Sequence, residues 1–558
     1  MPGLARRKRL LAVAMAVVGG LVVLVVAQLV IGPSSRFRFA SVVASARDTM
    51  VVASPVRLGS ALPFILDHGI VYASDIPTAK APISSRMVVD GARFIVTPNE
   101  AGPHAVDEPI APILAALLGA GFDKLTVRRT DVSFSRSGRA GDLLANLSAE
   151  VARRKQGLSA KGKFTYLGQR LRFEASAGLP PSDAKAGQRI PLRLVVTGAG
   201  FNAVFDGRLD IDGGFVLSGP ADVAISDPRR VMRWLGLPIG TGTGLASVRA
   251  RGDIIWRDRN IEFQSIAIVA DGNEATGALA VNFEGQRPAL DGTLAVKTLN
   301  LTPYVDLSTT DVGLTRRFEH HLPLARDIDI DMRLSASSVI VGPHKHAGVA
   351  ATIALKAGRL LIDIAEMDWL GGTLGGQVML DLASMPTGLT LKGRVQRVDI
   401  SRLTSELMGF AVGQGASTVS LDLTARGASP AEMLRSLSGR VAVSMTEGGR
   451  LAIDVRQLVE DEGARTDGAA LWSAATRGTT PLDKLDLRVT VRNGVIQSEA
   501  TELAAGPRRF AVSGSYNLLS DVIDLSFRLQ DQAPGSRKGV AARVHGPRAN
   551  PDVSRTPN

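Results

Sequence analysis

The chain has 558 residues, more than one ordinary domain holds, so several domains or one long array are expected. It is 45% hydrophobic, which excludes general disorder, and it lacks cysteine, which excludes disulfides, thiolate catalysis and Cys-ligated zinc. A formal net charge of +12 raises nucleic acid as a partner, but the basic residues are scattered with no stripe of stacking aromatics among them, so none is expected.

Arg6, Arg7, Lys8 and Arg9 precede the stretch Leu10–Ile31, which is apolar apart from Gln28. Twenty-two helical residues rise about 33 Å, enough for the roughly 30 Å of bilayer hydrocarbon. The leading cations hold that end in the cytoplasm, so the rest of the chain is expected on the far side of the membrane. The length favours an uncleaved anchor; the alternative is a signal peptide cut near Val25-Val26-Ala27. The basic charge then points to anionic membrane surfaces. Pro109–Phe122 is too short to span and is interrupted by Pro112, so it is expected as a short packed helix.

From about residue 85 the apolar period is two. RFIVT, KLTVRR, KGKFTYLGQRLRFEAS, IPLRLVVTG, GRLDIDGGFVLSG and ADVAISD read as strands between Gly, Pro and Asp turns, and the series continues to DVIDLSFRLQ near residue 530. On the order of two dozen strands at hairpin spacing predict an antiparallel meander with one apolar and one polar face. A hairpin unit recurs: Gly277, Gly376 and Gly514 each open an alternating run that passes through a polar turn into a second strand. Glycines so placed let a sheet bend and bulge.

Short helices punctuate the strands. DPRRVMRWLG has Asp227 as cap, Pro228 and a closing Gly236; SRLTSELMGF is expected to start at Ser401. SPAEMLRSLSG has Ser429 as N-cap, Pro430 at the first position, Glu432 in capping-box position and Gly439 after the last turn. ARTDGAALWSAATRGTT, residues 464–480, is the least strand-like distal stretch and is expected as a helix plus loop.

These features occur in an order that resembles the AsmA-like family of membrane-anchored periplasmic proteins from about residue 220 onward. The series is the Asp227-Pro228 helix, the Gly277 hairpin with Arg287-Pro288 in its turn, the Ser429-Pro430 helix, LSGRVAVSMTEGGRLAIDV, VTVRNGVIQSEATEL and the closing VHGPRANPDV. The resemblance implies kinship with the repeating β-groove lipid-bridge proteins, whose concave apolar face is thought to carry phospholipid tails between inner and outer membranes. The expected fold is mainly β: an N-terminal transmembrane helix, then an elongated, curled antiparallel β-sheet (a β-groove) with a few short capping helices. The expected divisions are a basic tail 1–9, the anchor 10–31, a β-rich region 32–220, a middle AsmA-like region 221–428, a C-terminal AsmA-like region 429–545 and a tail 546–558.

The residues expected to line the groove are Val281, Phe283, Val378, Leu380, Leu389, Leu391, Leu421, Leu423, Val441, Val443, Leu487, Val489, Val491, Leu525 and Phe527. The same alternation suits the closed interior of a β-sandwich, so the competing expectation is a filled scaffold that assists outer-membrane protein assembly. The expected partners are phospholipids, the inner membrane through residues 10–31, and outer-membrane or other envelope proteins.

Little points to an enzyme. His320-His321 and His344-Lys345-His346 are the only histidine clusters, and no nearby carboxylate is expected to complete a recognisable metal set. Asp327, Asp329 and Asp331 share a strand face and are expected to be solvated, with a calcium site as the alternative. GTGTG at Gly240–Gly244 lacks the Lys-Ser/Thr of a phosphate loop, and no nucleophile elbow is present. No catalytic residue, metal or cofactor is expected, and an envelope hydrolase is the weakest reading.

Overall fold

The computed structural model describes residues 42–46, 49–52, 56–57, 64–73, 84–96, 122–136, 139–155, 157–178, 189–198, 200–210, 216–234, 244–257, 260–304, 326–342, 344–459, 468–505, 508–530 and 540–557. The expected anchor Leu10–Ile31, most of the expected helix at Pro109–Phe122, and His320-His321 lie outside them, as do Gly240–Thr243 and residues 464–467. Among the described residues no helix is long and apolar enough to cross a membrane. The chain divides into two compact units, the first extending to Gly292 and the second beginning at Thr293.

In the first unit the alternation becomes a filled core. Gly157–Tyr166, Gln169–Gly178, Arg189–Gly198 and Phe201–Asp210 pair antiparallel in chain order. Phe164, Leu171, Phe173, Ile190, Leu192, Leu194 and Val196 point to one side and are each no more than 2% exposed. Burying each such side chain contributes about 1.5–3 kcal/mol. One pairing departs from the expected meander: Ser84–Val96 and Phe122–Arg136 are parallel. The stretch 97–121 between them is long enough for the crossover a parallel pair requires, and Phe122, the last residue of the helix expected at Pro109–Phe122, opens the second of these strands. Helix α1 (Pro228–Trp234) starts as read, the Arg230 amide donating to Asp227 Oδ1 at 2.8 Å. Its Trp234 stacks on Phe201, meets Tyr166 edge-on and donates from Nε1 to the Tyr166 carbonyl at 3.0 Å.

The second unit is an antiparallel meander running from Asp329–Val341 to Asp552–Pro557. A separate small sheet of Gly413–Gln414, Gly449–Leu451 and Thr480–Leu482 accompanies it. Helix α2 (Ile400–Met408) begins one residue before the expected start, because the Asp399 carboxylate accepts from the Ser401 amide and takes the cap position. Helix α3 (Pro430–Ser436) is capped by Ser429, and Glu432 reaches back to the Ala428 amide at 2.7 Å. Gly439 does not stop it. Leu437 is the cap, and Gly439 lies in the next strand, where an added Cβ would sit 2.1 Å from the Asp422 carbonyl oxygen. Helix α4 (Val455–Val459) was not legible, and α5 (Gly468–Ala475) matches the expected helix. Residues 546–558 were expected as a tail, yet His545 pairs with Asp552 across a turn and Asp552–Pro557 continues the sheet. The turn is held by the Arg548 amide donating to the Asp521 carbonyl at 2.9 Å.

The three recurring glycines share one structural job. In each hairpin the first strand carries a bulge, and the glycine pairs with the residue just before or after it. The pairs are Ile266 with Gly277, Ile364 with Gly376 and Ser498 with Gly514, with register shifts beginning or ending at each. A bulge adds local twist, and at Gly376 the following strand also approaches closely, an added Cβ meeting the Lys392 carbonyl oxygen at 2.4 Å. At Gly514 φ is +150° and an added Cβ would meet the Asp524 carbonyl oxygen at 2.1 Å. Gly514→Ala should therefore destabilise the chain by about 1–3 kcal/mol in denaturant unfolding. An unchanged midpoint would show the close approach to be without consequence.

Candidate functional site

The second unit brings most of the expected groove residues onto one face by strict cross-strand register. Ile353 pairs with Ile362, Ile362 with Val378, Val378 with Leu391 and Leu391 with Leu423. Beside this row, Leu380 pairs with Leu389, and Leu421 with Val441, which pairs in turn with Val489. Val419 and Leu487 flank Val443 on either side, and Leu525 lies between Gly514 and Val544. Directly opposed side chains lie about 4.5–5.5 Å apart at Cβ, so each row is a continuous apolar strip.

Exposure separates this strip from an ordinary core. Ile353, Ile362, Val378, Leu391, Leu421, Leu423 and Val489 are half-buried, as are Leu380, Leu389, Val441, Val443, Leu487 and Leu525. Val491 and Phe527 are buried, at 2% and 4% exposure. Val281 and Phe283 belong to the first unit. Val281 pairs with Ile261, whereas Phe283 lies just past the strand Asn273–Asn282, half-buried in the turn and outside the ladder.

The strip is bounded by filled regions. At the C-terminal end Val455, Leu458, Val459, Leu471 and Ala475 of α4 and α5 share one core with Val395, Val398, Phe510, Phe527, Ala542 and Val544. Arg555 fixes α4 by donating to the carbonyls of Leu458 and Gln457. Val441, Val443, Leu487 and Leu525 rest on this core, so they line its margin. A smaller cluster of Leu355 and Leu382, with Ile330, Leu360 and Leu380 against it, occupies another border, where Arg326 donates to the Leu382 carbonyl. Between them lie Ile353, Ile362, Val378, Leu391 and Leu423.

Ion pairs line the strands in both units. In the first, Arg249 and Arg251 both donate to Asp222, at 2.7 Å and 2.9 Å. The Arg249 hydrogen bond outweighs the opposing effect of burial and, with Arg251, holds the Asp222 carboxyl down at about 2. In the second, Arg543 holds Asp524 below the usual carboxylate range, and Arg548 does the same for Asp521. Asp521 also accepts from the Tyr516 hydroxyl at 3.0 Å, while Arg548 lies 4.1 Å from the Phe410 ring centroid. Burial first, then this hydrogen bond, pushes the Tyr516 phenol up. The cluster clips the end of α2 to the strand hairpin.

The polar motifs settle into structural roles. Asp329 accepts from the Ala357 amide at 3.0 Å, closing a turn, and Asp331 is exposed. His344 stacks near His346 with ring centroids 6.4 Å apart, and Glu406 approaches His344 to 4.0 Å, a carboxylate that sequence spacing did not reveal. Among the described residues no group of three metal-ligating side chains forms. Gly244 of GTGTG offers its carbonyl to Arg229 Nε at 3.0 Å.

The AsmA family is the family whose sequence pattern matches this chain, over the segment of residues 316–501. That segment holds Val378 to Val491 of the expected groove set, while Val281, Phe283, Leu525 and Phe527 fall outside it. No curated protein and no solved structure matches the chain.

Two outcomes follow. Leu458→Ala, in the filled end, should cost about 2–5 kcal/mol by denaturant unfolding, whereas Leu391→Ala should cost less than half of that. Equal costs would mean that the strip is packed like the core. Arg249→Gln should let the Asp222 pKa climb from about 2 towards its ordinary 3.8 in a carboxyl NMR titration. The depressed value adds stability above pH 4 that is lost as pH falls through 2, so the variant should lose less stability across that window. An unmoved titration would mean that Arg249 does not hold the carboxylate.

Proposed function

We infer that the half-buried apolar strip of the second unit carries phospholipid acyl chains, and that the chain is a membrane-anchored β-groove protein serving outer-membrane lipid homeostasis or assembly. The observation that carries this reading is the unbroken Ile353–Ile362–Val378–Leu391–Leu423 row, apolar in every strand yet only half-buried. The AsmA match over residues 316–501 supports it. In this reading Leu10–Ile31 anchors the chain in the inner membrane and the bulk of it is periplasmic.

The physical need is plain. Each acyl CH₂ brought into water costs about 0.8 kcal/mol, so two chains of about sixteen carbons face a barrier of over 20 kcal/mol. An apolar strip replaces the bilayer interior while the headgroup stays in solvent. The work requires register and no catalytic residue, and nucleic acid has no part in it.

The filled faces favour a second role for the rest of the molecule. Phe164, Phe173 and Leu192 in the first unit, and the α4–α5 core in the second, leave no room for lipid, so those regions act as closed scaffold. Envelope proteins remain the natural partners for such surfaces.

Photo-crosslinking residues placed at Leu391, Leu421 and Val489 in cells should capture phospholipid, whereas the same residue at Val398 should capture only protein. Protein-only adducts at all four positions would contradict the lipid reading and favour the scaffold.

A further inference from the structure

The first unit carries a concavity of about 670 Å³ on the solvent side of its sheet, and none of the residues expected to touch lipid tails lines it. Two parallel cross-strand rows line it. In one, Thr126 pairs with Glu150, Glu150 with Lys161, Lys161 with Glu174 and Glu174 with Val195. Its charges alternate, and Glu150 holds Lys161 at 3.9 Å and Lys124 at 3.8 Å. The neighbouring row reads Ser148, Lys163, Arg172, Thr197. Here two cations stand directly opposite each other between two hydroxyls.

Like charges paired across strands are destabilising, and among the described residues neither Lys163 nor Arg172 is ion-paired, the nearest carboxylates, Glu150 and Glu174, standing diagonally in the other row. Lys163 and Arg172 are both exposed, and Arg128, also exposed, extends the same lining. Close by, the sheet solves the same problem differently: Arg129 is paired with Asp90 and Arg193 with Asp206. Register shifts at Val127/Thr130 and Ala145/Ser148 bend the strands next to the row. A surplus of positive charge flanked by hydroxyl donors, in a concave surface of small-ligand size, matches one chemistry. An oxyanion accepts from a guanidinium in two places, from an ammonium and from hydroxyls at once.

We propose that the Ser148–Lys163–Arg172–Thr197 row, with Arg128 at its rim, binds a phosphate group. The group arrives either as free phosphate or on the headgroup of an anionic lipid. This site is independent of the acyl-chain strip and stands or falls without it.

The test titrates the full-length chain in non-ionic detergent with inorganic phosphate and, separately, with dihexanoylphosphatidylglycerol, at fixed ionic strength. Saturable binding of at least one probe is expected, weakened about tenfold or more in Lys163→Gln/Arg172→Gln. It should be retained in Lys161→Gln, from the balanced row, and in the charge-preserving Lys163→Arg. Equal affinity for both probes would assign recognition to the phosphate alone, and tighter lipid binding would assign it to the headgroup; either supports the site. The double variant without ligand should melt no lower than the parent, since the like-charge pair is gone. Absence of saturation by either probe, equal loss in Lys161→Gln, or a lower melting temperature in the double variant would overturn the proposal.

Discussion

Cross-strand register is the constraint on which this molecule depends. Because side chains alternate with period two, a slip of one residue in any strand would turn its apolar set to water and its charges inward. The chain keeps that phase through thirteen consecutive strands of the meander in the second unit, from Asp329–Val341 to Asp552–Pro557. It does so although several strands carry bulges, each of which adds a residue. The extra residue is absorbed locally: after Ile364/Gly376 the pairing resumes at Met367 and Leu374, and after Ser498/Gly514 it resumes at Thr501 and Val512. A glycine stands opposite the edge of each of these bulges, so sheet bending and facial continuity meet at the same residues.

Given register, whether a face is open or filled is decided by what is laid on it. The strands Arg189–Gly198 and Gly388–Asp399 have much the same alternating pattern, yet the first buries Ile190, Leu192, Leu194 and Val196 and the second leaves Leu389 and Leu391 half-buried. Within the second unit the change occurs along single strands. Leu391 is half-buried and Val395 and Val398, four and seven residues on, are at 2% and 0% exposure, because they join the core that α2, α4 and α5 complete. The change from half-buried strip to filled core therefore follows from short helices laid on the sheet and not from a change in the sheet.

Much of this was legible in the sequence. Period-two alternation located the strands, Asp227 and Ser429 marked helix starts, and the repeated glycines marked the bulged hairpins. The order of these features suggested the AsmA family, which matches residues 316–501. What alternation could not convey was coverage, since a strand's own residues do not state what packs on them. One signal was present: aromatic side chains mark the filled regions, with Phe164, Phe173 and Phe205 in the first unit and Phe510 and Phe527 in the C-terminal core. The half-buried row is entirely Ile, Val and Leu. Helix α4 was missed because five residues are too few for a periodic reading, although Val455, Leu458 and Val459 have helical spacing. The parallel pair is a non-local fact of pairing that no single segment encodes, whereas the Lys163–Arg172 opposition lies within one hairpin and needed only its register.

The central claim is that the Ile353-to-Leu423 row is an apolar surface open to a ligand. Spin labels at Leu391 and Leu423 report this directly through their collision rates with a water-soluble nickel reagent and with oxygen. The account expects nickel access in the lipid-free protein, then loss of nickel access and gain of oxygen access when phospholipid vesicles are added. Labels shielded from nickel before any lipid is present, and unchanged by it, would mean that the protein fills the row itself.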